Sequence, residues 1–180
     1  KVMNIVYASE NNFLDVLYSS IKSLYNANHD FKINLWIIAD NVSDENKNKI
    51  NDLSQEYGQR KICWVDNVEI PYKLQLDRGS ASAFSRLLLG SILPNNISKV
   101  LYLDSDLLVT GDLTDLFELD LGDHYLAATR SCFSAGIGFN AGVLLINNKK
   151  WQAENIRQKL IDLTEKEHEN VGEGDQSILN

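Results

Sequence analysis

Val2-Met3-Asn4-Ile5-Val6-Tyr7-Ala8 is an apolar run rich in β-forming residues. It reads as a strand buried on both faces, as a central strand of a parallel sheet is. Ser9-Glu10-Asn11-Asn12 then gives a polar turn and helix-entry signal, after which Phe13, Val16, Leu17, Ile21 and Leu24 recur at helical spacing. Ile33-Asn34-Leu35-Trp36-Ile37-Ile38-Ala39 is a second strand. Ser43-Asp44-Glu45 opens a second helix, with Ile50, Leu53 and Tyr57 on its face and Gly58 near its end. Lys61-Ile62-Cys63-Trp64-Val65 is a short third strand. Strands alternating with helices predict a parallel sheet covered by helices, and right-handed crossovers make this a Rossmann-like α/β half.

Outward from that half, residues 66–80 form a polar, irregular connection. A helix is expected over residues 83–93, closed by Pro94-Asn95-Asn96. Lys99-Val100-Leu101-Tyr102-Leu103 is a fourth strand, and residues 125–129 and 139–146 are further runs of strand type. Trp151, Ile156, Leu160 and Leu163 trace one long helix with a charged face. The last stretch, Asp175-Gln176-Ser177-Ile178-Leu179-Asn180, carries no capping signal, so a further segment is expected after it.

Composition narrows the function classes. A chain of 180 residues fits one domain or a fragment of a slightly larger one, and a 44% hydrophobic share allows a real core. A net charge of -8 argues against a nucleic-acid partner, which would need a basic face to neutralise phosphates. Two cysteines, Cys63 and Cys132, make no disulfide framework. No apolar stretch is long enough to span a bilayer and no signal-peptide pattern opens the chain. The expected location is therefore the cytoplasm, with peripheral attachment to the inner face of the membrane left open for a longer protein. No linker, internal repeat or low-complexity tract divides the chain.

The sharpest chemical feature is Leu101-Tyr102-Leu103-Asp104-Ser105-Asp106, two carboxylates directly after a hydrophobic strand. Open α/β sheets bind ligands outside the carboxyl ends of their strands. If the segment stays extended, both side chains leave the same face. Carboxylate oxygens suit Mg²⁺ or Mn²⁺, which commonly also hold substrate phosphates and stabilise a departing diphosphate. The plainer alternative is a solvated turn with two surface acids. In Phe139-Asn140-Ala141-Gly142-Val143, the small residues permit close backbone approach to a ligand and Asn140 both donates and accepts. The same pattern also fits a bulge or bend at a strand entrance. Arg86 reads as a partner for Asp104 and Asp106, as a phosphate or sugar contact, or as an exposed helix arginine. Asp175-Gln176 reads as a hydrogen-bonding pair for a polyhydroxylated ligand or as a helix N-terminus. His29, His124 and His168 lie in polar segments without zinc spacing. No Gly-x-Gly-x-x-Gly or P-loop pattern occurs.

Taken together, these motifs resemble glycosyltransferase family 8, the retaining transferases that include bacterial lipopolysaccharide galactosyltransferases and glycogenin. The resemblance runs from Met3 to Asn180. It rests on Met3-Asn4-Ile5-Val6-Tyr7-Ala8, Phe84-Ser85-Arg86-Leu87, the Asp104-Ser105-Asp106 strand, Gly111-Asp112-Leu113-Thr114-Asp115-Leu116, Phe139 to Asn147, and Asp175 to Asn180, in the family's order. It implies a GT-A fold in a single catalytic domain over residues 1–180, a UDP-glucose or UDP-galactose donor, and Mn²⁺ with Mg²⁺ as the substitute. The acceptor it implies is a glycan, lipopolysaccharide or glycoprotein. By resemblance, Ala8, Glu10 and Asn12 lie under the uridine, and Asp104 and Asp106 are the metal ligands. Arg86, Ser105, Asn140, Ala141, Gly142, Asp175 and Gln176 belong to the diphosphate and donor-sugar site. Gln176 is the expected stabiliser of oxocarbenium charge and Asp175 its rival as a sugar-hydroxyl anchor.

Three positions depart from the family pattern. Glu10 stands where an Asp is usual, and Phe84 replaces a Tyr. Ser131 stands where the galactosyltransferases carry an acid, which leaves glucose and galactose equal. The family's third metal ligand, a His in a His-x-x-Gly-x-x-Lys-Pro-type segment, falls after position 180, so a truncated catalytic domain is expected. Two rivals stay open. One is a degenerate, non-catalytic module that binds sugar nucleotides. The other is an aspartyl phosphatase, which also carries Asp-x-Asp after a strand but normally on its first strand, with Thr or Val where this chain has Leu108.

Overall fold

The computed structural model describes residues 2–60, 62–66, 68, 85–131, 138–167 and 179–180. Six strands form one sheet in the order β3-β2-β1-β4-β6-β5. They are β1 (Val2–Glu10), β2 (Lys32–Asp40), β3 (Cys63–Asp66), β4 (Lys99–Leu103), β5 (Leu126–Arg130) and β6 (Phe139–Asn147). The first four run parallel, as the alternation predicted. β6 is antiparallel to both β4 and β5, so the sheet is mixed.

β1 is central and buried on both faces. Ile5 and Tyr7 join the core under helices α1 (Leu14–Ala27) and α2 (Asp44–Glu56). Val6 and Ala8 join the core on the opposite face, with Tyr102, Leu144, Ile146 and Trp151. The alternation follows from the period of two along a strand. α2 begins where expected: the Ser43 side chain accepts from the Asn46 N–H, and Asp44 and Glu45 occupy the first turn, where the helix dipole favours acids. Gly58, at φ +60°, follows the helix end in the left-handed conformation that closes many helices.

Three expectations are corrected. Phe13 and Val16 do not face the core; they are 48% and 40% exposed, whereas Leu17, Ile21 and Leu24 are buried as expected and Leu14 and Tyr25 are buried beside them. A 3₁₀ turn over Asn11–Phe13 precedes α1, so Phe13 lies ahead of the helix and Leu14 opens its buried face. The helix expected over residues 83–93, of which 83 and 84 lie outside the described residues, is already helical at Ser85 but is interrupted by a 3₁₀ turn at Arg86–Leu88 before the short α3 (Leu89–Ile92). The long terminal helix is two helices, α5 (Asn148–Ala153) and α6 (Ile156–Glu167), after the short α4 (Thr114–Glu118) earlier in the chain. Asn155 breaks it at φ +50°, a conformation Asn tolerates better than most residues. The break allows Trp151 and Ile156 to reach the same core cluster.

No helix among the described residues is long and apolar enough to cross a membrane. Cys63 is exposed and free, while Cys132 lies outside the described residues.

Candidate active site

The chain passes from β1 to β2 and β3 on one side, then returns to β4 on the other. The order of strands therefore reverses between β1 and β4, the place where open α/β sheets form a ligand crevice. Val6 pairs with Tyr102 across these strands, and two residues further along each stand Ala8 and Asp104. Ala8 is buried; Glu10 is half-buried at the end of β1; Asn12 is exposed in the following 3₁₀ turn. The structure thus brings the expected uridine segment and the expected metal aspartate to neighbouring strand ends.

β4 ends at Leu103, and Ser105-Asp106 form a turn. The two carboxylates therefore do not continue an extended strand. Asp104 is half-buried, Asp106 is exposed beyond the turn, and the charge of Asp106 still acts on Asp104. Asp104 is held firmly. Its N–H donates to the Gly142 carbonyl at 2.8 Å, continuing the β4–β6 ladder. Its Oδ1 accepts from the Tyr102 hydroxyl at 3.0 Å and faces Arg86 Nη2 at 3.3 Å. Burial raises its pKa above the ordinary carboxylate value, against the opposing effects of Arg86 and the Tyr102 hydrogen bond.

Arg86 is not an exposed helix arginine: it is 9% exposed. Its Nη1 donates to the Ala141 carbonyl at 2.6 Å and its guanidinium lies 5.0 Å from the centre of the Tyr102 ring. That carbonyl is available because β6 bulges. Ala128 pairs with Leu144 but Thr129 pairs with Asn140, so the β5–β6 register shifts across residues 141–143. Bulges of this kind re-aim backbone groups beside active sites. The bulge reading of the Asn-Ala-Gly segment is the one the strand pairing shows. Asn140 Oδ1 accepts from the Gly142 N–H at 2.8 Å. A Cβ on Gly142 would lie 2.8 Å from Asp104 Oδ2 and 3.0 Å from Asn140 Oδ1, so any larger residue there would displace those side-chain ends.

Asp175, Gln176 and Phe84 lie outside the described residues. Asn180 is described, and its side chain brackets Phe139: Nδ2 donates to the Phe139 carbonyl at 3.0 Å and Oδ1 accepts from its N–H at 2.5 Å. The end of the last motif is thus tied to the strand that carries Asn140 to Gly142. Ser131, half-buried after β5, donates its N–H to the Gly138 carbonyl at 2.9 Å.

The donor set fits a divalent cation. Asp104 offers Oδ2, which accepts no hydrogen bond among the described residues, and burial without a cation disfavours its charge. Among the described residues no cluster of three or more His, Cys, Asp or Glu side chains could hold a metal. Two cavities lined by described residues lie elsewhere. One of about 480 Å³ sits between Val2, Met3, Phe31, Lys99 and Phe117, at the amino ends of the strands. The other, about 420 Å³, adjoins the end of α2. Neither contains a site residue.

Two features escaped the sequence reading. Tyr102 was read only as a strand residue, although its place two positions before Asp104 puts both on one face. Asn11 was read as part of a turn signal. Its Oδ1 accepts from the Ser43 N–H at 3.0 Å and from Asn46 Nδ2 at 2.8 Å, tying the loop after β1 to the start of α2.

Comparison with known proteins agrees with this geometry. The model of the family described as Glycosyl transferase family 8 matches residues 4–180. The glycosyltransferase GlyE of Streptococcus pneumoniae is 49% identical over 179 residues, 98% of this chain and 43% of GlyE. This chain therefore spans less than half the length of that relative. The crystal structure of GlyE superposes with a TM-score of 0.81 over 99% of this chain. The galactosyltransferase LgtC, solved in complex with donor and acceptor sugar analogues, gives a TM-score of 0.87 at 30% identity, covering 99% of this chain and 69% of LgtC. The lipopolysaccharide 1,3-galactosyltransferase of Salmonella typhimurium is 26% identical over 98% of this chain and 58% of its own length. The fold is GT-A, as in GlyE and LgtC. The family model spans nearly the whole chain, and this chain belongs to glycosyltransferase family 8.

Proposed function

We propose that residues 1–180 form the donor-binding catalytic domain of a retaining hexosyltransferase. It moves glucose or galactose from a UDP-sugar to a glycan, lipopolysaccharide or glycoprotein acceptor, with Mn²⁺ held by Asp104 and Asp106. The observation that carries this reading is the state of Asp104. It is a partly buried carboxylate at the β1–β4 switch point, fixed through one oxygen and with its charge disfavoured until a cation arrives. The similarity to LgtC and to the Salmonella galactosyltransferase supports the hexose donor.

Each residue then has a role. Ala8 lines the floor under the uridine; Glu10 and Asn12 contact the base and ribose from the loop after β1. Ser105 presents its turn backbone beside the aspartates. Asn140, Ala141 and Gly142 give the donor sugar a close approach to backbone, which the absence of a side chain at 142 permits. Arg86 orders this wall by bridging Asp104 and the Ala141 carbonyl. A bound divalent ion would neutralise the diphosphate and make it a better leaving group.

In the front-face reaction we favour, the bond between the anomeric carbon and the diphosphate oxygen breaks and its electron pair stays with UDP. The acceptor hydroxyl forms the new bond on the same face and passes its proton to the departing diphosphate oxygen. Gln176 is assigned to the oxocarbenium charge and Asp175 to a sugar hydroxyl.

The test is a thermal shift with UDP, with and without Mn²⁺, followed by transfer assays with UDP-glucose and UDP-galactose. Ligand at about a hundred times its dissociation constant adds about 2.7 kcal/mol of stability. A shift that needs both Mn²⁺ and the two aspartates is expected. UDP binding that ignores Mn²⁺ and survives Asp104→Asn/Asp106→Asn would overturn the reading.

A further inference from the structure

Tyr102 is a residue whose hydroxyl the packing of β4 does not require. Its ring is 2% exposed in the core cluster shared with Val6, Ala141 and Leu144, where phenylalanine would fill the same space. The neighbouring residues of the strand, Val100, Leu101 and Leu103, are all apolar. A buried phenol needs a partner, and the partner here is Asp104 Oδ1 at 3.0 Å. The period of two along β4 forces this meeting, because residues 102 and 104 share a face.

The same oxygen faces Arg86 Nη2 at 3.3 Å, while Arg86 lies over the Tyr102 ring and is anchored on the Ala141 carbonyl. Oδ2 is turned to the side where Gly142 leaves room, 2.8 Å from the position a Cβ would take. The carboxylate is thus clamped through one oxygen and left open through the other.

We infer that Tyr102 is a positioning residue for cation binding: with Arg86 it occupies Oδ1 of Asp104, fixes the plane of the carboxylate and reserves Oδ2 for the metal. The inference rests on the proposed reading of Asp104 as a metal ligand. Hydrogen bonds to a ligating carboxylate orient it, and their loss typically weakens metal affinity by about 10- to 100-fold.

The experiment measures Mn²⁺ binding to the full chain, without nucleotide, by the electron paramagnetic resonance signal of the free ion. Five proteins are compared: the parent, Tyr102→Phe, Asp104→Asn, the Tyr102→Phe/Asp104→Asn double variant, and Tyr25→Phe. The last loses a buried hydroxyl that bonds Ser54, remote from the strand ends. Tyr102→Phe is expected to weaken Mn²⁺ binding by about 10- to 100-fold while lowering the melting temperature no more than Tyr25→Phe does. Tyr25→Phe leaves Mn²⁺ affinity at the parent value. The Tyr102→Phe/Asp104→Asn double variant is expected to bind no more weakly than Asp104→Asn alone, because both remove one interaction. Parent affinity in Tyr102→Phe, with affinity lost in Asp104→Asn, overturns the inference and leaves the proposed site standing. Affinity that does not change in Asp104→Asn overturns the proposed site and the inference together.

Discussion

Two groups of buried polar side chains flank the sheet, and they are built to opposite plans. Under α1 and α2, the Tyr7 hydroxyl pairs with Ser20 at 3.0 Å and the Tyr25 hydroxyl pairs with Ser54 at 2.6 Å. Each pair is neutral, and its four residues are buried. On the other face, Arg86, Tyr102 and Asp104 form a charged group in which one carboxylate oxygen is satisfied and one is left open at the strand ends. A satisfied neutral pair serves packing. A charged group that burial disfavours, kept at a switch point, is a candidate ligand site, and the proposed function uses it as one. The difference separates structural from functional polarity without reference to residue type, since tyrosine occurs in both.

Asp104→Asn breaks the comparison at its functional end and has the largest expected effect. Losing a ligand to a cation that stabilises several kcal/mol of developing charge lowers kcat/KM by about 10³-fold or more. The same substitution relieves a carboxylate whose ionisation burial disfavours, so the apo melting temperature is expected to hold or rise. Steady-state transfer assays and melts in EDTA check the two halves. A large fall in both would make Asp104 a structural residue like Tyr7.

Gly142→Ala comes next. Its Cβ would sit 2.8 Å from Asp104 Oδ2 and 3.0 Å from Asn140 Oδ1, so those side chains must move. A displacement of about 1 Å in a reacting geometry costs about 10²-fold in rate, and a loss of that order is expected with the fold retained. Donor transfer measured beside far-ultraviolet circular dichroism decides this.

The closed pairs show themselves in alkali. Burial raises Tyr25 from 10.0 to about 12, and Tyr7 higher still. Stability held by the neutral phenols is intact below pH 10.0, the unfolded value, and is lost as pH rises through the folded values. Each tyrosine contributes a slope of about 1.4 kcal/mol per pH unit in that window. Urea unfolding between pH 9 and about 12 is expected to show the decline, with the Tyr7→Phe variant losing one of the two contributions.

The smallest effect sharpens the comparison at its structural end. Tyr7→Phe at neutral pH leaves Ser20 without its partner and is expected to cost about 1 kcal/mol. Mn²⁺-dependent UDP affinity is expected to stay at the parent value. Calorimetry on the variant tests both statements, and a changed affinity would mean the two faces of the sheet are coupled.

Much of this was readable from the chain. The strand-helix alternation gave the order of the first elements, because a strand buried on both faces writes a continuous apolar run. The Ser43 cap and Gly58 stop were read correctly, since both act within one helical turn. Where reading failed, the cause was local geometry that composition does not encode. Phe13 falls in a 3₁₀ turn ahead of α1 and Val16 lies off the buried face of the helix, so both are exposed. One left-handed residue, Asn155, divided a helix whose apolar spacing ran on without interruption.

The site shows the same division. Asp104 and Asp106 were visible because two acids after an apolar strand contradict the strand's own pattern. Arg86 was visible only as a candidate, and its sequence neighbours made an exposed helix arginine equally acceptable. By itself the sequence determined the β1 to β4 scaffold and the end of β4 at which chemistry is placed, because periodicity and strand ends are properties of nearby residues. Only the tertiary structure decided that Arg86 is buried against Tyr102, that β6 runs antiparallel and bulges to offer its Ala141 carbonyl, and that Gly142 stands against Asp104. Those contacts join residues tens of positions apart, and their strength comes from the exclusion of water, which no single stretch of chain achieves alone.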